Sequence, residues 1–386
     1  MNQSAFRIIV IGFGSLAIAM GIGRFAFTPL LPMMQADGLV GISGGGVLAS
    51  VHFVGYLAGA AGAAYVPIRP KRLLRASLIL IALCTLATGL TDNFVVWSVL
   101  RFLCGVFSAF TLVLVSNYYV KYLAAIGRAP GQGWVFSGVG AGIAIAGLGT
   151  LAFMAGGIPS ASSWVIFGGI SLAAALLISF RLGEEFEDER SRGSNETRQR
   201  SPVDWRTVAA YAAAGIGYII PATYLPVMAR DIVSSPFLFG LAWPVFGLAA
   251  FFSTLLAAGL QARFSNRQIW AVSQLVMAVG LLLPVLIPDL ASIMIAGICV
   301  GGTFMIITMM GMKEAHRLAH PDDVIRHIGV LTVAFAGGQM VGPVFASAIH
   351  TATGSFSPSL VLTSLLLIAT AAALVVRSAG PDKIRA

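Results

Sequence analysis

Charge is what this chain has least of. Asp, Glu, Lys and Arg together supply 10% of its 386 residues, against about a quarter in a water-soluble domain. With 58% hydrophobic residues, a soluble fold would carry apolar surface it could not cover, so lipid has to be the solvent. Acidic residues are scarcer than basic ones, 15 against 24. The resulting +9 does not point to nucleic acid, because the cations lie in short segments between apolar runs rather than along a stripe or tail. Cysteine is nearly absent. Cys84, Cys104 and Cys299 stand singly within apolar runs, without the paired spacing of a metal site or a disulfide framework. Alternation of apolar and polar residues is missing too, and with it the pattern of a membrane β-barrel.

What is there is a succession of apolar runs, each near the roughly 17–25 residues that cross a bilayer. They fall at about 7–33, 44–66, 73–91, 94–118, 131–155 and 162–181, then at about 206–229, 236–260, 268–287, 290–312, 326–349 and 358–377. The first follows Arg7 as a secretory signal would. It runs on through Met20 without a cleavage site, so it reads as a membrane helix. Glycine is frequent inside the runs, as at Gly138, Gly140 and Gly142, which suits close helix approach in lipid. The expected domains are a first bundle over 1–181, a cytoplasmic linker over 182–205 and a second bundle over 206–386. The linker passes from Glu184, Glu185, Glu187, Asp188 and Glu189 to Arg190, Arg192, Arg198 and Arg200, the composition of a solvated connection.

Cations set the orientation. With the N-terminus inside, the inner segments hold Arg7, then Arg69, Lys71, Arg72 and Arg75, then Lys121 and Arg128. After the linker they hold Arg263, Arg267, Lys313, Arg317, Arg326, Arg377, Lys383 and Arg385, whereas the outer loops hold only Arg230. Both termini are therefore expected in the cytoplasm and the chain in the cell inner membrane. His316, His320 and His327 lie with Asp322 and Asp323 in one inner loop; their irregular spacing reads as solvated loop rather than as a metal site.

One segment occurs twice. Residues 21–37 read GIGRFAFTPLLPMMQAD and residues 215–231 read GIGYIIPATYLPVMARD, with seven of 17 positions identical. Duplicated halves are a mark of secondary transporters, whose substrate site lies where the repeats meet. The expected fold is an all-α membrane protein of twelve transmembrane helices in two six-helix pseudo-symmetric bundles.

On this map the 15 acidic residues all lie in loops or at span ends. Arg24, His52 and Arg101 remain within spans, where ionisable groups are costly and usually face a cavity. At about 1.5 Å per residue all three lie roughly 10–14 Å below the outer surface. Two arginines without a carboxylate make a positive cavity that attracts anions and repels organic cations. Their planar forks suit a carboxylate, sulfonate or phosphate, and Phe25, Phe27, Tyr56 and Phe102 nearby suit an apolar body. Tyr218 stands at the repeat position of Arg24, where it either lines the opposite wall or packs as core. Gln339 is a mid-span polar group that needs a partner. Thr28 lies one turn beyond Arg24, where its hydroxyl can also bond its own helix.

These residues resemble the major facilitator superfamily. GIGRFAFTPLLPMM, GIGYIIPATYLPVMARD and GGQMVGP (337–343) are similar, more narrowly, to its YbfB/YjiJ-like subgroup, over essentially the whole chain. The superfamily's Arg-x-x-x-Gly is present as Arg101-Phe-Leu-Cys-Gly105, and the resemblance implies a coupling or substrate role for that arginine. The basic loop between spans two and three keeps Arg69, Lys71 and Arg72 but lacks the family's Asp, as does Gly259–Arg267. That counts against the usual charge relay as a gate. Span five lacks the Gly-Pro pair of many antiporters, which counts against drug/proton antiport. The reading is a secondary active transporter of a small organic anion by alternating access, with proton coupling resting on His52. Multidrug or metabolite efflux is the alternative, and a membrane-embedded enzyme is a more distant one, since His52 has no catalytic partner. No cofactor, metal or nucleic-acid partner is expected. Membrane lipid and an anionic small molecule are, with the chain as a monomer.

Overall fold

The computed structural model describes residues 3–183, 201–230 and 240–376. Most of the linker and the cationic C-terminus lie outside the described residues, as do the second repeat copy's side chains from residue 224 onward.

The described residues are almost entirely helical. Before the linker come α1 (Ala5–Ala36), α2 (Ile42–Gly62), α3 (Pro70–Thr88), α4 (Phe94–Ala125), α5 (Gly131–Ala155) and α6 (Ser160–Arg181). After it come α7 (Trp205–Arg230), α8 (Ala242–Leu260), α9 (Asn266–Leu286), α10 (Leu290–Leu318), α11 (Val324–Thr353) and α12 (Ser357–Val375). Ten are long and apolar enough to cross a bilayer; α3 and α7 are not among them. The reason is local: α3 opens on Lys71, Arg72 and Arg75, and α7 on Arg206, with side chains described only to residue 223.

Side chains punctuate the helices where the orphan amides of each first turn need acceptors. Asn93 Oδ1 accepts from the Val95 and Val96 amides at the start of α4. Ser265 and Gln268 form a reciprocal capping box on α9. Asp289 Oδ1 accepts from the Ser292 amide at 2.7 Å, which holds that carboxyl below its usual range.

Helix packing follows one scheme on both sides of the linker. In the first set α1 packs on α5, α2 on α4, and α3 on α4 and α6; in the second, α7 packs on α11, α8 on α10, and α9 on α10 and α12. The repeated glycines serve equivalent contacts. Gly21 meets the backbone of Gly142 on α5, and Gly215 meets the Phe335 carbonyl on α11. A Cβ at either would collide with main chain.

Contacts between the sets run mainly through α2 with α11 and α5 with α8, with lesser ones of α4 with α10 and α11 and of α5 with α10. The α5–α8 seam is closest at its glycines, with the Trp134 and Phe251 rings meeting edge-on farther along it. A Cβ on Gly140 would meet the Phe251 amide and Gly247 carbonyl, and one on Gly147 would meet Pro244.

At the end where the cations gather, the charges are paired. Arg267 binds Glu314 at 2.5 Å and Asp204 at 2.6 Å, and Arg317 adds a bond of 2.7 Å to Glu314, whose side chain is buried. Asp323 and His327, expected in solvent, are buried instead. The last part of the linker folds over them: Asp323 accepts from Arg326 and from the Ser201 amide, and the His327 ring lies 3.3 Å from the Pro202 carbonyl. His316 reaches across to the Ser116 carbonyl of α4 at 3.0 Å. This end of the molecule is closed.

Candidate functional site

The site starts from a break in α1. Residues Ala17–Ile22 form a π-helical stretch, followed by a short turn, Gly23–Phe25, and a fresh α-helix, Phe27–Ala36. Gly21 and Gly23 have low helix propensity, and π stretches often mark functional sites. Arg24 stands just past the widened segment.

Helix α4 holds the break in place. Arg101 Nη1 donates to the Gly23 carbonyl at 3.2 Å and Nη2 to the Arg24 carbonyl at 3.4 Å. Cys104 Sγ lies 3.2 Å from the Gly23 carbonyl, and Ser108 Oγ donates to Ala19 at 2.9 Å. Positions 101, 104 and 108 fall on one face of a helix, so α4 offers one line of donors to the carbonyls around the break. The Arg-x-x-x-Gly pattern gains a physical reason. Gly105 lies against the His52 carbonyl, and Gly55 against the Phe102 carbonyl. That close approach brings α2 and α4 together beneath α1.

Above the break is a cavity of about 550 Å³. Its walls include Arg24, Thr28, His52, Arg101 and Tyr218, five of the six residues singled out from the sequence. It opens toward the α1–α2 connection, where Gln35, Gly45 and Gly46 line it. Gln339 lies beneath, in a small space shared with Tyr56, Tyr211, Thr308 and Thr332. Arg24 and Tyr218 border both spaces and stand on the partition between them.

Arg24 is 4% exposed. Its guanidinium lies 4.6 Å from the Tyr56 ring centre, 5.0 Å from Phe25 and 5.3 Å from Phe53, a cage that attracts a cation through ring quadrupoles. Nη2 donates to Gln339 Oε1 at 2.6 Å, from the first set of helices to the second, while Nε has no partner. Arg101 stacks 4.5 Å from Phe27. Among the described residues no carboxylate pairs with either arginine, and none lines the cavity. His52 is buried with both ring nitrogens unpartnered.

Tyr218 is packed as well as lining the site: its ring stacks 4.8 Å from Phe304 and 6.1 Å from Phe335. Trp243 and Phe246, stacked at 5.2 Å, complete an aromatic floor with Phe25. Trp243, Phe304 and Phe53 escaped sequence reading because aromatic residues are common throughout the apolar runs. Only their convergence distinguishes them, Phe53 on Arg24 and Trp243 and Phe304 on the neighbouring Phe25.

A search of curated proteins finds no match. Among solved structures, the human organic anion transporter MFSD10 (TETRAN) superposes with a TM-score of 0.72 over 97% of this chain and 100% of its own, at 13% identity. At that identity the likeness concerns the fold alone. The profile of the family described as "Uncharacterised MFS-type transporter YbfB" matches residues 16–376. With nearly its whole length covered by that match, this all-helical chain belongs to the YbfB family of major facilitator transporters.

Proposed function

We propose that the protein is a secondary active transporter of a small organic anion, working by alternating access in the cell inner membrane. Twelve spans in two six-helix bundles, 1–181 and 206–386, with both termini and the 182–205 linker in the cytoplasm, complete the reading. The matched packing of the two helix sets and the equivalent contacts of Gly21 and Gly215 support the two bundles. The paired cations at the closed end support an inward placement of that end. The cavity then faces outward.

One observation carries the substrate class. Arg24 borders the cavity, and its guanidinium meets aromatic faces and a neutral amide but, among the described residues, no carboxylate. Such a cation at membrane depth has its positive charge available to an incoming anion. Arg101 adds to the same potential while its two terminal nitrogens hold α1. Tyr218 and Thr28 line the path, and Gln339 presents the second bundle to Arg24. His52, the imidazole on a cavity wall without a carboxylate, is assigned the coupled proton. An efflux pump for cationic drugs would need an acidic group where this site has arginine.

The test is binding of organic acids and quaternary ammonium ions to purified protein, followed by uptake of the best binder into proteoliposomes. Stabilisation by acids in wild type but not in Arg24→Gln is expected. Binding of cations alone would reject the anion reading. Uptake indifferent to an imposed pH gradient would remove the proton from His52.

A further inference from the structure

Counting donors in the cavity narrows the substrate. Among the described residues the lining includes two arginines and one histidine, with no lysine and no acid. Arg101 adds field and at most a single free N–H: both of its terminal nitrogens are directed at the α1 carbonyls, Phe27 stacks on the guanidinium, and Nε alone is without a partner. A carboxylate seeking a paired hydrogen bond therefore finds one guanidinium, Arg24.

A second donor comes from the other bundle. The indole of Trp243 lines the same cavity, and its Nε1–H is buried without a partner. Its ring lies 6.1 Å from Phe25, which is the ring 5.0 Å from the Arg24 guanidinium. A buried indole N–H ordinarily finds an acceptor. Among the described residues none accepts from it, and a ligand in the cavity is the acceptor assigned below. Much of the remaining wall is apolar, from Phe27, Leu31, Phe53, Ile219 and Ala222. A volume of about 550 Å³ is within the roughly 300–1,000 Å³ of small-molecule sites.

We infer that the substrate carries one anionic group on a flat apolar body: an aromatic monocarboxylate whose head bridges Arg24 of the first bundle and the Trp243 N–H of the second. The inference rests on the anion reading above and sharpens it. A second carboxylate on the same body would find no second paired guanidinium edge, only the His52 ring and the lone Arg101 Nε, and burying it without a full set of partners is costly. A head without the body would forgo the aromatic wall.

The test is calorimetric titration of the full-length protein with benzoate, terephthalate, acetate and benzyltrimethylammonium. Benzoate is expected to bind, with terephthalate and acetate each at least about tenfold weaker. Trp243→Phe keeps the ring and deletes the N–H. It should weaken benzoate about tenfold, the scale of one hydrogen bond to a charged group, with an unchanged unfolding temperature. Terephthalate binding as tightly as benzoate would overturn the single-head inference while leaving the anion site standing. Full benzoate affinity in Trp243→Phe, with the fold intact, would remove Trp243 from the site. Failure of every acid at millimolar concentration, with the ammonium bound, would overturn this inference and the anion reading together.

Discussion

Two groups of arginines in this molecule live under opposite rules. At the closed end Arg267, Arg317 and Arg326 each bind a carboxylate within 2.7 Å. In the middle Arg24 binds a neutral amide and Arg101 binds backbone carbonyls. The first group is neutralised by its own chain and serves structure. In the second, hydrogen bonds satisfy geometry without cancelling charge, and the positive potential is left for something that arrives. Removing a partner should cost stability in the first group and leave it nearly untouched in the second.

Four substitutions probe that contrast, in order of expected size. Glu314→Gln leaves Arg267 and Arg317 facing an uncharged group. Breaking a buried pair costs about 3–5 kcal/mol, discounted to about 2–3 here because Arg317 is half exposed. Thermal unfolding in detergent would report the loss, with benzoate affinity unchanged. Arg24→Gln should do the reverse. Anion affinity should fall about 100-fold, at the upper end for a charged hydrogen bond, while the unfolding temperature holds or rises because an unpaired buried charge has gone. Gln339→Glu imports the first rule into the second group. A carboxylate opposite Arg24 should raise stability and weaken anion binding about tenfold by competing for the guanidinium; equal affinity would show that Arg24 does not hold the anion. Arg101→Lys is the mildest. An ammonium is a point charge that replaces the planar fork on two carbonyls, so about 1 kcal/mol of stability should be lost. Anion binding should drop only a few-fold.

Much of this was legible in the sequence, for a physical reason. Lipid forces apolar runs and makes every charge within them conspicuous, so the spans and the trio Arg24, His52 and Arg101 could be read directly, and the structure places that trio on one cavity wall. The task of Arg101 could not be read. Its partners are main-chain carbonyls, which no residue type announces, exposed by a π-helical stretch whose trace in the sequence is Gly21 and Gly23 in a dense glycine background. Trp243 was hidden for the same kind of reason, one aromatic residue among many. The burial of Asp323 and His327 depends on Ser201 and Pro202 folding back from 120 residues away, beyond the reach of local patterning.

The close seam between α5 and α8 carries a mechanical consequence. Around Gly140, Gly147 and Gly247 the helices meet with little side chain between them, so these turns have few rotamers to repack if one helix tilts past the other. Under the proposed alternating access, the interlocked rings of Phe25, Tyr218, Trp243 and Phe304 would have to part for the other mouth to open, so those aromatics rather than the glycine contacts would resist the swing.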